Sequence, residues 1–286
     1  MATDIKDEMQ ARRAEAKLAL FIDFENIALG VREAKYKIFD INKVLARLVE
    51  KGKIVFKKAY ADWDAYAQYK RPFHEAAIEL IYIPRKAYSG KNSADIRMVV
   101  DAMDLSYSKE HIDMFVVASG DSDFSPLVSK LKENDKYVIG VGVKNSSSEL
   151  LIDNCDEFIF YEDLVRETVR PKREHIRDIP KQQAEAFDLL LDAVAALQRE
   201  DHEVIWGSMV KQTIKRKHPQ FNENYHGYSS FSKLLEDAEK QKLIGLKKDA
   251  RSGTYIVLPE RESSAASAPA VPPPVPVPVA QANSAS

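Results

Sequence analysis

The feature that most limits what this chain can fold into is the segment VVASGDSDF, Val116 to Phe124, where an apolar run stops at two aspartates separated by one residue. Residues 112–118 are apolar apart from Asp113, which predicts a strand buried on both faces of a parallel sheet. Ser119, Gly120, Asp121, Ser122 and Asp123 then put small residues and carboxylates at that strand's carboxyl end, the edge where open α/β sheets hold their ligands. The same arrangement occurs earlier, where the apolar run 18–22 meets Asp23, Phe24, Glu25 and Asn26. Two adjacent buried strands that both end in aspartate would make one acidic pocket. Carboxylates crowded in this way usually need a cation, and oxygen donors with no nearby His/Cys cluster favour Mg²⁺ or Mn²⁺ over zinc.

Composition narrows the setting. The 286 residues are 45% hydrophobic and 30% charged, a soluble chain long enough for more than one domain. A net charge of −2 excludes a uniformly basic coat, so any nucleic-acid surface must be a local patch. The six histidines show no zinc spacing, and the single cysteine, Cys155, cannot form an internal disulfide and reads as a small core residue. The charged stretch 1–16 lacks an apolar signal core, and no later apolar run is long enough to cross a bilayer. The expectation is a cytoplasmic protein with no membrane partner.

From about 17 to 165 short apolar strands alternate with amphipathic helices, the pattern of a wound α/β sheet. Strands are predicted at 18–22, 54–60, 80–83, 112–118, 137–143 and 158–160. Helices are predicted at 41–49, closed by Gly52, and at 94–105, 126–132 and from Ser146, where Ser146 and Glu149 have capping-box spacing. On the 94–105 helix, advancing 100° per residue sets Ile96, Val99, Val100 and Met103 against the sheet, with Asp95 at the edge of that stripe and Asp101 in solvent. Asp95 is therefore the third acid of the pocket. It also suits a helix N-terminus on charge alone, as Asp123 suits a cap of the next helix. Asp23 and Asp121 follow strands buried on both faces, where an unpaired charge is costly, and this favours a site.

Three segments now carry a resemblance: Phe21 to Asn26 (FIDFEN), Lys91 to Ile96 (KNSADI) and Ser119 to Phe124 (SGDSDF). In this order they resemble the NYN domain, a branch of the PIN-like nuclease superfamily. The resemblance implies a Rossmann-like, mostly parallel sheet with helices on both faces, acids at its carboxyl edge, and metal-dependent cleavage of RNA. Carried across by position, the family's acids fall on Asp23, Asp95, Asp121 and Asp123, and its polar residue after the first acid on Asn26. Lys91 matches the basic residue before the second motif. Asp23 and Asp121 are the candidates for direct contact with metal, with Asp95 and Asp123 acting through water. Asn26 and Ser119 can orient water or phosphate, or serve as turn and cap residues. Lys144 begins a stretch that can touch phosphate at a helix N-terminus or simply cap it.

Beyond this unit, 166–182 reads as a basic linker with Arg166, Arg170, Lys172, Arg173, Arg177 and Lys181. Helices at 186–197, 206–217 and 230–240, with extended pieces at 243–247 and 254–258, predict a winged helix over 183–260. Gly227 to Leu235 (GYSSFSKLL), followed by Gly245 and Thr254 to Val257, resembles an OST-HTH (LOTUS) domain. That resemblance implies an RNA- or protein-binding module. Lys211, Lys215, Arg216, Lys217 and His218 form a basic strip suited to phosphates. Tyr225 and Tyr228 can stack bases, whereas Phe231 shares a helical face with Leu235 and reads as core. The Pro/Ala-rich tail 261–286 is expected to lack a packed core, and it or the winged helix could take a protein partner.

The reading is a metal-dependent ribonuclease with an RNA-recruiting module. Two rivals remain: an RNA-binding adaptor with a structural ion, and a phosphohydrolase of the haloacid-dehalogenase type. The latter would need Glu25 as its second acid, and the sequence offers no lysine motif for it.

Overall fold

Six parallel strands organise the first half of the protein, here as a computed structural model that describes residues 16–84, 93–166, 179–200, 202, 204–249 and 253–258. They are β1 (Lys17–Asp23), β2 (Lys53–Ala61), β3 (Glu79–Tyr82), β4 (Met114–Ala118), β5 (Tyr137–Gly142) and β6 (Glu157–Phe160). Their order in the sheet is β3-β2-β1-β4-β5-β6, and each neighbouring pair is parallel. The sheet is thus α/β and Rossmann-like, and its order reverses between β1 and β4. That switch point opens a crevice above the carboxyl ends of those two strands.

Alternation on the central strands builds a core on each face. Leu18, Leu20, Ile22, Val116 and Ile139 pack on one side. Ala19, Phe21, Phe115, Val117 and Val138 pack on the other. Burying side chains of this size stabilises the fold by about 1.5–3 kcal/mol each before entropy is counted. This two-sided burial is why β1 and β4 read as continuous apolar runs.

The covering helices are α1 (Phe24–Glu33), α2 (Ile41–Lys51), α3 (Ala67–Glu75), α4 (Ser93–Ser108), α5 (Ser125–Glu133), α6 (Glu149–Asn154) and α7 (Tyr161–Arg166). Helix α1 was not among the expected helices, although Phe24, Ile27 and Val31 give it a buried stripe and Asp23 caps it. Helix α6 starts three residues later than expected, because Lys144–Ser146 forms a separate 3₁₀ turn and Ser148 is the N-cap, without a side-chain cap bond.

Helix α4 corrects the expected face in part: Val99 and Met103 pack, partly buried, against the core as expected, but Ile96 and Val100 do not. Its buried residues are Met98, Ala102, Leu105 and Ser106, whereas Ile96 is 63% and Val100 56% exposed. Asp101 is not in solvent either. It accepts hydrogen bonds from Lys58 Nζ at 3.0 Å, Tyr60 Oη at 2.8 Å and Arg97 Nε at 3.1 Å. The buried face pairs the large Met98 and Leu105 with the small Ala102 and Ser106.

A second unit has its own core around Phe187, Leu190, Val210, Leu234 and Val257. It consists of α8 (Lys181–Arg199), β7 (Ile205–Trp206), α9 (Gly207–Lys217), α10 (Phe231–Lys240), β8 (Gly245–Lys248) and β9 (Tyr255–Leu258). The three strands form an antiparallel sheet in the order β7-β9-β8. Strand β7 was not expected; it is two residues long and joins the hairpin edge. The segments 1–15, 167–178 and 259–286, with most of the expected linker and all of the expected tail, lie outside the described residues.

The two units meet through charges at the amino edge of the large sheet. Glu50, buried at the end of α2, accepts from Arg199 Nη2 at 2.7 Å and from Lys217 Nζ at 2.9 Å. Glu200 accepts from Lys51 Nζ at 2.8 Å and also pairs with Arg47. Burial alone would raise both glutamates, but these cations hold Glu50 and Glu200 below the usual carboxylate range. Such a network fixes one docking arrangement, because moving either unit strands buried charge.

Candidate functional site

The end of β1 and the end of β4 lie side by side, with Ile22 paired to Ala118. Each strand then gives way at once to a turn that re-aims the chain. Asp23 caps α1, accepting from Asn26 N at 3.4 Å, and Asp121 caps a 3₁₀ turn at Ser122–Phe124, accepting from Asp123 N at 3.0 Å. Both acids therefore sit at helical N-termini, where backbone N–H groups favour negative charge.

Two polar residues tie the strand ends together. Ser119, fully buried, donates to Asp23 Oδ2 at 2.9 Å and accepts from Asp121 N at 3.2 Å. Asn26 Oδ1 accepts from Gly120 N at 2.8 Å, spanning from α1 to the loop after β4. Gly120 permits this approach: a Cβ there would lie 2.2 Å from the Ser146 carbonyl oxygen. Ser119 is thus a bridge inside the site and not a surface contact for RNA, and the Asn26 carbonyl positions the loop.

Asp23 is only 6% exposed, and its electrostatics follow. Burial pushes its carboxyl from 3.8 up to about 7; the Ser119 and Asn26 bonds oppose this, while Asp95 and Asp121 add to it. Asp95, on the first turn of α4, is also raised, first by burial and then by Asp121, Asp123 and Glu25. The four predicted aspartates are thereby brought into one electrostatic group at the carboxyl edge. Asp95 and Asp123 also line a cleft of about 700 Å³ together with Ile96, Val100, Pro126 and Leu150.

Glu25 is the residue that sequence reasoning left out of the site. It follows Asp23 by two positions, its charge acts on Asp95, and its Oε1 accepts from Asp62 N at 3.0 Å. The only sequence signal was its place in the same short motif.

Other candidates fall elsewhere. Lys91 lies outside the described residues. Lys144 Nζ pairs with Asp163 Oδ1 at 2.9 Å and lies 5.4 Å from the centroid of the Phe160 ring. The expected basic strip is largely engaged within the protein. Lys217 binds Glu50 and Asp192, Lys211 binds Glu223 at 2.7 Å, and Arg216 Nη2 donates to the Glu50 carbonyl at 3.1 Å. Lys215 remains exposed. Tyr228 is buried with its hydroxyl on Asp237, while Tyr225 is 65% exposed.

The donor set suits a hard divalent cation. It is all oxygen, it includes a buried carboxyl held high for want of counter-charge, and its members repel one another. Among the described residues no three His, Cys, Asp or Glu side chains close around one point. Mg²⁺, which keeps several waters and takes one or two carboxylates directly, does not require such a cage.

Known proteins resemble the first part of this chain. An uncharacterized protein of Methanocaldococcus jannaschii is 30% identical over 159 residues, which cover 56% of this chain and 61% of that protein. This chain thus spans less than two thirds of its relative's length. A crystal structure of a protein of unknown function from Vibrio parahaemolyticus is 28% identical, covers 53% of this chain and 96% of its own, and superposes with a TM-score of 0.46. The family model of the NYN domain matches residues 17–162, the whole six-stranded unit and just over half of the sequence. The chain belongs to the NYN domain family.

Proposed function

We propose that the first unit is a divalent-metal-dependent ribonuclease that cleaves phosphodiester bonds of RNA at Asp23, Asp95, Asp121 and Asp123. The observation that carries this reading is Asp23, a buried carboxyl at the sheet's switch point with two further aspartates acting on it. Carboxyls raised by burial and like charge in a cleft concentrate at functional sites. When bound, Mg²⁺ or Mn²⁺ supplies charge that polarises a phosphate oxygen and acidifies a coordinated water. Asp23 and Asp121 hold that charge in place. Ser119 fixes the rotamer of Asp23, Asn26 fixes the loop that carries Asp121, and Asp95 and Asp123 orient water on the open side.

The second unit we read as a winged helix of the OST-HTH type that recruits RNA. Its helix–strand–helix–helix–strand–strand order and the GYSSFSKLL segment support that reading. Of its expected basic strip, Lys215 is the exposed member, so its contact with RNA is narrower than the sequence suggested.

The test is loss of labelled single-stranded and structured RNA in Mg²⁺, in Mn²⁺ and in chelator. Cleavage that needs metal and disappears in Asp121→Asn supports the proposal. Binding without turnover would instead make the protein an RNA-binding adaptor.

A further inference from the structure

A cleft of about 740 Å³ lies between the two units, at the amino edge of the large sheet. Five cations line it: Lys17 and Lys53 at the starts of β1 and β2, Lys57 further along β2, and Lys215 and Arg216 from the end of α9. No Asp or Glu is among its lining residues. That concentration is unusual in a chain with a net charge of −2. Like charges gathered on low-dielectric walls focus a positive potential into the cleft and draw in anions.

The side chains differ in what they can offer. Lys57 Nζ donates to the Ala76 carbonyl at 2.6 Å, and Arg216 is anchored by Glu50 and Thr213, so these two supply field and stems. Burial lowers both below the usual lysine and arginine values, so each gains from an incoming anion. Lys53 and Lys215 are exposed, one on each unit; the charge of Glu223 acts with Lys215, but neither lysine forms a salt bridge among the described residues. Leu45, Val49, Ile54 and Pro219 add apolar wall. Cations alone suit a bare anion. Cations beside an apolar wall, in a volume typical of small-molecule sites, suit an anion joined to a ring.

We propose that this inter-unit cleft is a second binding site that takes a phosphate-bearing nucleotide, free or as one residue of an RNA strand, with Lys53 and Lys215 holding the phosphate from opposite units. It is separate from the acids: the six residue steps of β1 from Lys17 to Asp23 put it about 20 Å away, at the other edge of the sheet. Because its walls come from both units, an occupant bridges and steadies their docking.

The experiment uses the full chain in chelator, so that the acids hold no metal-bound nucleotide. The probes are fluorescently labelled ATP and, separately, a short 2′-O-methyl RNA, which the chelator keeps from metal-dependent cleavage. Wild-type and Asp121→Asn proteins should bind with equal affinity, while Lys53→Gln/Lys215→Gln should bind about tenfold or more weakly. On the RNA, the double variant should also lose about 0.7 of salt slope per contact removed. Lys215→Glu alone, at an exposed position, gives a second variant and should weaken binding in the same direction, with melting curves matched to wild type. Binding of both probes assigns the cleft to nucleotides in general; binding of RNA alone assigns it to a strand. Three results would overturn the proposal: no saturable binding of either probe, variant affinity within about twofold of wild type, or an equal loss in Asp121→Asn.

Discussion

Replacing Asp23 with asparagine should make the metal-free protein more stable, and the gain should depend on pH in a defined direction. Burial, with Asp95 and Asp121 nearby, raises this carboxyl from 3.8 to about 7 in the folded state. A group raised on folding contributes its full stability below the unfolded value and loses it as the pH climbs through the folded one, so the loss accrues between 3.8 and about 7. A shift of roughly three units corresponds to about 4 kcal/mol, and that burden falls on wild-type protein above neutrality. Asparagine is neutral throughout; its one carbonyl oxygen can keep the 2.9 Å bond from Ser119 Oγ and gives up the longer 3.4 Å bond from Asn26 N, which reaches the other carboxylate oxygen. Thermal melts of both proteins in chelator at about pH 3.5 and about pH 8 should therefore differ little at the lower pH. At the higher pH Asp23→Asn should melt later by about 10 °C, taking a few degrees per kcal/mol for a chain of this size. Saturating Mg²⁺ at about pH 8 should narrow the gap, because it binds the ionised wild-type site and stabilises it by mass action. An equal difference at both pH values, or a variant less stable than wild type at the higher one, would refute the assignment of Asp23 as a buried, strained acid.

Further substitutions probe other parts of the same structure. Asp101→Asn should leave cleavage intact but cost about 1–2 kcal/mol in urea titrations near neutrality, since it weakens the bonds from Lys58, Tyr60 and Arg97. Burial opposes ionisation of Asp101, but Lys58 and Tyr60 hold it below its ordinary value. This contribution is present above the unfolded pKa and is lost as the pH falls, so the variant and wild type should converge in acid. Gly120→Ala places a methyl group 2.2 Å from the Ser146 carbonyl and should cost about 1–3 kcal/mol in the same titrations, together with a loss of activity as the Asp121 loop shifts. Glu50→Gln leaves Arg199 and Lys217 without their carboxylate. It should cost about 3 kcal/mol and separate the unfolding of the two units into distinct transitions by calorimetry.

What could be read from the sequence, and what could not, follows from the range of the interactions. β1 and β4 were legible because a strand covered on both faces must be apolar at every position, whereas most other elements show only one stripe. Asp23 and Asp121 were legible for the same reason, as charges placed where those runs end. Helix α4 misled because it carries two overlapping apolar stripes: Val99 and Met103 pack against the core as read, but Met98, Ala102 and Leu105 are buried while Ile96 and Val100 face outward. Nothing local to Asp101 announces Lys58 and Tyr60, which arrive from β2. Arg216 and Lys217 read as part of a strip suited to phosphates because their anchor, Glu50, lies far away in the chain and belongs to another core. Charges whose partners come from another unit are invisible to periodicity, and for this reason the interface was missed while the switch point was found.

Docking at the amino edge also changes how the second unit can serve the first. A recruiting module on a free tether raises the local RNA concentration over a broad volume, and its benefit depends on linker length. Here Glu50, Arg199, Glu200 and Lys217 hold the module on the far side of the sheet from Asp23 and Asp121, so distance is set by the fold and not by the linker. An RNA bound by Lys53 and Lys215 must run along the flank of the sheet, about the length of β1, before a phosphate reaches the aspartates. On the proposed reading, short fragments cannot satisfy both ends at once, whereas longer strands can, so the second unit should add affinity only for longer strands. The buried charge at the interface then has a functional reading that its modest net contribution to stability would not supply. Holding the separation between the two proposed sites constant would convert strand length into a criterion of selection.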